Sequence, residues 1–183
     1  MNIFVTGAGL VGCYFAREMA QRRHRVLLYD IAPNKGYIQS VAGDVPVVQG
    51  DVRDLPALVE NLQNDQAEVV FHSAFLIGAQ ATLRPYTTLS VNVGGAIAVA
   101  EASRLSGVRR LVFASSQAVY LREPPPTVPV KEDSPVGGDR FYMASKVACE
   151  RILSAYANQY PLEVVTLRFA QIYGRGHYAG GDP

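Results

Sequence analysis

Ile3-Phe4-Val5-Thr6-Gly7-Ala8-Gly9-Leu10-Val11-Gly12 decides the fold, together with Arg25-Val26-Leu27-Leu28-Tyr29-Asp30 a helix's length later. Ile3 to Val5 reads as a buried strand, Thr6 to Gly12 as a glycine turn, and Cys13 to Arg23 as a helix. Arg25 to Asp30 reads as a second strand ending in an acid. Gly7 allows the tight turn. Gly9 has no Cβ, so a diphosphate can approach the backbone, and Gly12 lets the helix pack closely on the strand. An anion at the start of that helix would meet unpaired N–H groups and the positive end of the dipole. A lone G-x-G-x-x-G is weak among sixteen glycines. Here it follows a strand, opens a helix and has Asp30 eighteen residues after Gly12, the context a dinucleotide site requires.

The rest of the chain agrees with one globular unit. Its 183 residues suffice for a full core, and the soft expectation is one domain. A formal net charge of +1 gives no global field toward nucleic acid or a membrane surface. No apolar run reaches the length of a membrane span. The chain enters a strand at once, with no basic n-region or cleavage site; a cytoplasmic setting is expected from its cysteines. Cys13 and Cys149 have no metal or redox spacing, which fits a reducing compartment. Cys13 falls in a first helical turn, where a thiol pKa can drop; a small residue packed near the glycine loop is the simpler expectation.

Beyond Asp30, Ile31 to Gly43 reads as a loop, with Pro33-Asn34 and Gly36. Val45 to Gln49 is a short strand ending at Gly50-Asp51-Val52-Arg53-Asp54. Pro56 suits the first turn of a helix to about Gln63, with Asp54 as its cap. Val69 to His72 is a fourth strand. A helical stretch from about Arg84 to Leu105 is expected to bend at Gly94-Gly95. Arg110 to Ser116 is a fifth strand, Glu123 to Gly138 a proline-rich surface loop, Asp139 to Tyr160 a long helix stopped by Pro161, and Leu162 to Phe169 a sixth strand. Strands apolar on both faces and alternating with helices predict an α/β, doubly wound, mostly parallel sheet of the Rossmann kind, in the order 3-2-1-4-5-6.

Tyr142-Met143-Ala144-Ser145-Lys146 puts a phenol and an ammonium on one helix face at i, i+4. A free tyrosine, with a pKa of about 10, is a poor base at neutral pH. A neighbouring ammonium would lower that value and let Tyr142 exchange a proton with a hydroxyl or carbonyl. With ten tyrosines in the chain and only three lysines, a chance Tyr-x-x-x-Lys is expected about 0.16 times. An exposed lysine beside a packing tyrosine is the structural alternative. Ser115 and Ser116 close the fifth strand at the carboxyl edge of the sheet, where ligands of open α/β sheets bind. A serine hydroxyl there can bond a reacting oxygen, although two serines after a strand also serve as turn formers.

These residues bring the chain to a family. It resembles the extended short-chain dehydrogenase/reductases of the NAD-dependent epimerase/dehydratase group. The resemblance rests on Val5 to Gly12, Asp30, Gly50 to Asp54, Val70 to Ala74, Asn92 to Gly95, Ser115 to Tyr120, Tyr142 to Lys146 and Leu167 to Gly174. It implies that Tyr142 is the acid/base, that Lys146 holds the nicotinamide ribose and tunes Tyr142, and that Ser116 bonds the substrate oxygen. Gly7, Gly9, Leu10, Val11 and Gly12 would carry the diphosphate, and Asp30 the adenosine ribose. Asp51 and Val52 would contact adenine. Ser73, Ala74 and Phe169 would line the cofactor, and Asn92 would support the site from its long helix. The implied reaction moves a hydride between a substrate carbon, on a sugar or nucleotide-sugar, and the nicotinamide. The Asp30 carboxylate favours NAD over NADP, because it accepts a ribose hydroxyl and repels a phosphate. A homodimer through the helices near 84–105 and 139–160 is also implied.

The chain departs from the family pattern in places. The usual opening, T-G-x-x-G-x-x-G, has one more residue between its first two glycines. Gln171 stands where many relatives carry Asn, and Arg175 where many carry Pro. Relatives run to roughly 300 residues, so residues 1–183 read as the NAD-binding domain without the C-terminal substrate-binding part. A simple NAD-dependent sugar or alcohol dehydrogenase and a non-catalytic NAD-binding module are the alternatives. His24 reads as part of a solvated basic turn, His72 as packing, and His177 and Tyr178 as part of a flexible end.

Overall fold

The computed structural model describes residues 1–121 and 129–174, apart from the side chain of Gln80. Among the described residues six parallel strands form one sheet: β1 (Asn2–Thr6), β2 (Arg25–Asp30), β3 (Val47–Gln49), β4 (Val69–His72), β5 (Arg110–Ser116) and β6 (Glu163–Phe169). Their order is β3-β2-β1-β4-β5-β6, as expected from the alternation of apolar strands and helices. Among the described residues seven α-helices connect them: α1 (Leu10–Gln21), α2 (Lys35–Ala42), α3 (Leu55–Asn64), α4 (Gly78–Leu83), α5 (Pro85–Leu89), α6 (Gly95–Leu105) and α7 (Phe141–Gln159).

Strand alternation splits the core into two layers. Phe4, Val70, Leu111 and Phe113 meet α3, α6 and α7 through Leu58, Leu62, Val99, Cys149 and Leu153. Ile3, Val5, Leu28 and Phe71 meet α1 and α2 through Cys13, Ala16, Ile38, Val41 and Ala42. Both faces are covered, which is why the strands read as continuous apolar runs.

Two helices depart from the sequence reading. The segment read as a loop, 31–43, contains α2. Asn34 caps it by accepting from the Tyr37 N–H at 3.0 Å, and Ile38, Val41 and Ala42 bury one face. Pro33 and Gly36 suggest a loop, but the buried face and the cap decide. The short α4 has no counterpart in the sequence reading either. The bend foreseen at Gly94-Gly95 is a π-helical turn over Ser90–Gly94 joining α5 to α6. Gly95 is the reason for tight packing there, since a Cβ on it would lie 2.8 Å from Val52 Cγ2. Asp54 caps α3 by accepting from the Ala57 N–H at 3.1 Å. Of the loop expected from Glu123 to Gly138, residues 123–128 lie outside the described residues; Val136 bridges back to Tyr120.

Order reverses between β1 and β4, so a crevice opens beyond their carboxyl ends. The register pairs Thr6 with His72, which sets Gly7 beside Ser73 and Ala74.

Candidate active site

The shortened glycine loop has a definite path. Gly7 adopts φ +90° and donates to the Tyr29 carbonyl at 2.8 Å. A Cβ there would be 2.7 Å from the Ala74 nitrogen, so both conformation and space demand glycine. Ala8 N–H donates to Asp30 Oδ2 at 2.7 Å. The chain then enters α1 at Leu10, with Gly9 at the N-cap position and no side chain capping the helix. A Cβ on Gly12 would collide with the Gly7 carbonyl oxygen, whereas one on Gly9 would meet nothing within 4 Å. Gly7 and Gly12 are thus required by the protein's own packing, and Gly9 borders open space at a helix N-terminus. That is the arrangement a diphosphate fits.

A cavity of about 370 Å³ runs from this loop across the carboxyl ends of β4, β5 and β6. Gly9, Leu10, Val11 and Gly12 form one wall; Ser73, Ser116, Tyr142, Lys146 and Phe169 form others. Eleven of the sequence-predicted positions are therefore near one another or directly adjacent, counting Gly7 and the Ala74 that packs against it. A second groove of about 900 Å³ lies on the far side of Tyr142, between α4, the Ala118–Leu121 turn and the Gly137-Gly138 approach to α7. Tyr142 lines both spaces.

Lys146 is 3% exposed. Its ammonium donates to the Ala114 carbonyl and lies 3.2 Å from the Phe75 ring centroid and 4.8 Å from that of Phe113. Burial pulls its pKa down to about 7. The phenol behaves differently from the sequence expectation. Burial pushes the Tyr142 pKa up, and the hydrogen bond with Ser116 pulls it part of the way back. The ammonium is held by Ala114 and the Phe75 face, 5.7 Å from the Tyr142 ring centroid. Ser116 Oγ also accepts from the Ala118 N–H at 3.1 Å, capping the turn after β5.

Other predicted positions stand outside the cavity. Asp30 ends β2 with one oxygen on Ala8 N–H and the other on Ala32 N–H, the latter at 2.8 Å. Each oxygen keeps a further lone pair. Asp51 is gripped by Arg53, whose Nε lies 3.0 Å from both carboxylate oxygens; this holds the carboxyl below the usual range. Val52 is buried under Gly95. Asn92 does not line the cavity. It is fully buried and clamps the chain after β4: Oδ1 accepts from Leu76 N–H at 2.8 Å, and Nδ2 donates to the Leu76 carbonyl at 3.1 Å and to Ser145 Oγ at 3.2 Å. Ser73, which does line the cavity, donates its hydroxyl to the Thr6 carbonyl at 2.8 Å, joining the end of β4 to β1 below the loop. Cys13 is a packed residue: burial pushes its thiol up to about 11. His72 packs against Phe75 and Phe113 and shares a 2.6 Å hydrogen bond with Thr6 Oγ1. Arg175, His177 and Tyr178 lie outside the described residues.

The model of the NAD dependent epimerase/dehydratase family matches residues 3–183. The chain belongs to this family. It is 34% identical over 181 residues to a UDP-glucose 4-epimerase of Mycolicibacterium smegmatis, covering 95% of this chain and 57% of that protein. It is 29% identical to a UDP-N-acetyl-alpha-D-glucosaminuronate decarboxylase of Bacillus cytotoxicus, covering 97% of this chain and 57% of that one. Among solved structures, it superposes on the Thermus thermophilus UDP-glucose 4-epimerase complex with NAD with a TM-score of 0.87. That match has 28% identity and covers 100% of this chain and 59% of the other. The chain spans little more than half the length of the relatives it matches.

Within this epimerase/dehydratase frame, sequence reasoning missed Phe75, Ile77, Ala114 and Ile172 in the cavity wall. None carries a spacing signal; the sheet edge collects them. It also missed Glu150, which had a signal: it lies four residues after Lys146, on the same face of α7. Among the described residues no cluster of His, Cys, Asp or Glu could hold a metal ion, and no helix is long and apolar enough to cross a membrane.

Proposed function

We propose that the chain is the NAD-binding part of an epimerase/dehydratase-type oxidoreductase acting on a sugar or nucleotide-sugar, with Tyr142 as its acid/base. One observation carries the reading: Tyr142 is the shared wall between the cavity that reaches the glycine loop and the groove beside α4. A proton donor at that wall touches both a dinucleotide and a second ligand. Two of the similar proteins support the ligand classes: both are UDP-glucose 4-epimerases, one of them in complex with NAD.

NAD, when bound, supplies a carbon that accepts or returns a hydride. The protein's own residues do the rest. Gly9 leaves room for the diphosphate, and the N–H groups of Leu10, Val11 and Gly12 begin α1 where it would lie. Asp30 holds the loop through Ala8 and has lone pairs left for ribose hydroxyls, which favours NAD over NADP. Lys146, in the cavity wall, would hold a ribose hydroxyl. Tyr142 gives its proton to, or takes one from, a substrate oxygen, with Ser116 donating to the same oxygen. Epimerisation returns the hydride within one cycle, whereas a simple dehydrogenase releases reduced cofactor. A homodimer through α6 and α7 and a cytoplasmic setting belong to the same reading; Ile97 and Leu105 on α6 are exposed.

The test is Tyr142→Phe on UDP-sugars in the presence of NAD. Loss of turnover by roughly 10²–10⁴ is expected, with no net NADH formed by the wild type. Unchanged turnover would remove Tyr142 from the mechanism, and steady NADH release would make the enzyme a dehydrogenase.

A further inference from the structure

Glu150 divides its carboxylate between two neighbours. Ser115 donates its hydroxyl to Oε1 at 2.6 Å. Arg168 donates Nε to Oε1 at 3.1 Å and Nη2 to Oε2 at 2.8 Å. The Glu150 and Arg168 side chains are 10% and 21% exposed. Arg168 also donates to the Glu132 carbonyl at 2.7 Å and lies over the Tyr120 ring. One acid therefore ties α7 to the carboxyl ends of β5 and β6. Withdrawn ion pairs of this kind add little net stability, because desolvation offsets their attraction; what they fix is geometry. The geometry fixed here is that of the site: Ser115 precedes Ser116, and Glu150 is one turn beyond Lys146.

We propose that Glu150 is a positioning residue for the Tyr142–Lys146 pair: held by Ser115 and Arg168, it locks the rotation of α7 against β5 and β6 and presents a negative charge to the Lys146 ammonium. The proposal rests on the reading of that pair given above.

The groups around Lys146 leave this task to Glu150. From β4, His72 is pulled down to about 3 by burial and is uncharged at neutral pH. On α7, Cys149 is pushed up to about 12 by burial and is an uncharged thiol, and Tyr142 is raised as well. Phe75 and the Ala114 carbonyl are neutral. Burial alone drives Lys146 toward losing its proton. Glu150, on the same helix face, opposes that loss, and Arg168 tempers it.

The chain has three lysines, Lys35, Lys131 and Lys146, so ¹³C-lysine labelling of the full chain gives few resonances to titrate by NMR. Glu150→Gln keeps the shape and the acceptor for Ser115 but removes the charge. The Lys146 midpoint is expected to fall by about one pH unit. A purely structural role for Glu150 predicts the opposite sign, because a loosened helix hydrates Lys146 and moves its midpoint up. An unchanged or raised midpoint overturns the proposal. If the single variant does not fold, Glu150→Gln with Arg168→Gln leaves no unpaired charge; the midpoint should still fall, by less, and a midpoint that stays or rises again refutes the idea. The titration needs neither cofactor nor turnover. A wild-type chain that binds no dinucleotide overturns the proposed function and leaves this result standing.

Discussion

Gly9 and Gly12 belong to one motif, yet the structure assigns them different costs. A methyl group at Gly12 would be placed 1.8 Å from the Gly7 carbonyl oxygen and 3.1 Å from Ser73 Oγ. Ordinary contact needs roughly twice the shorter distance, so α1 must move off β1. Overpacking of this kind costs about 1–3 kcal/mol, which for a domain of this size lowers Tm by about 3–10 °C. At Gly9 the same methyl meets nothing within 4 Å, and the backbone there, at φ −84° and ψ −164°, suits alanine. The loss of an N-cap glycine should cost no more than about 1 kcal/mol. The methyl does occupy the space through which a diphosphate must approach, so NADH affinity should fall at least about tenfold, or about 1.4 kcal/mol. Differential scanning fluorimetry and NADH fluorescence titration on Gly9→Ala and Gly12→Ala separate the two effects. Gly12→Ala should lose both stability and binding; Gly9→Ala should lose binding alone. A Gly9→Ala protein that binds NADH like the wild type would falsify the placement of the diphosphate at this loop.

Asn92→Leu removes the side-chain partner of the part-buried Leu76 N–H and carbonyl. Each orphaned group costs about 1–3 kcal/mol, so thermal unfolding should move down by about 5 °C or more; a shift within about 1 °C contradicts the clamp. His72 is neutral when folded down to about pH 3, while its unfolded form protonates below about 6.5. The unfolded chain therefore binds the extra proton in that window, and this contribution to stability is present above about pH 6.5 and lost as pH falls toward 3. Denaturant unfolding between pH 6.5 and 5 should show a slope approaching 1.4 kcal/mol per unit that flattens in His72→Gln; an unaltered slope argues against it. Lys146 acts in the same direction at higher pH. Its folded pKa is about 7 against about 10.4 unfolded, so the unfolded chain holds more protons between these values and stability rises with pH across them. Lys146→Met should remove that rise.

Much of this site was legible because the informative residues sit at fixed places on a parallel sheet. The glycine turn, Asp30 and the two serines that close β5 are local signals, and strand alternation set the order that brings them together. The i, i+4 spacing placed Tyr142 and Lys146 on one face without knowing what α7 packs against. What the sequence did not show is non-local. The held Lys146 ammonium depends on Phe75, far away along the chain, folding back over it, and the burial of Tyr142 itself raises a phenol pKa that the spacing alone was expected to lower. Asn92 was expected to support the site from its long helix, but its partners, the Leu76 backbone and Ser145, are far along the chain and gave no local signal. The α2 helix hid behind Pro33 and Gly36, although Asn34 three residues before Tyr37 was a cap in plain view.

The central claim is that this chain binds NAD across the glycine loop and Lys146. The most direct test is an equilibrium titration of the purified chain with NADH and, in parallel, NADPH, after denaturing a sample to identify any retained nucleotide by mass spectrometry. The account predicts saturable binding near one NADH per chain, or NAD already in place, with NADPH at least about tenfold weaker because Asp30 faces its phosphate. A chain that carries no dinucleotide and binds neither cofactor at millimolar concentration would contradict it.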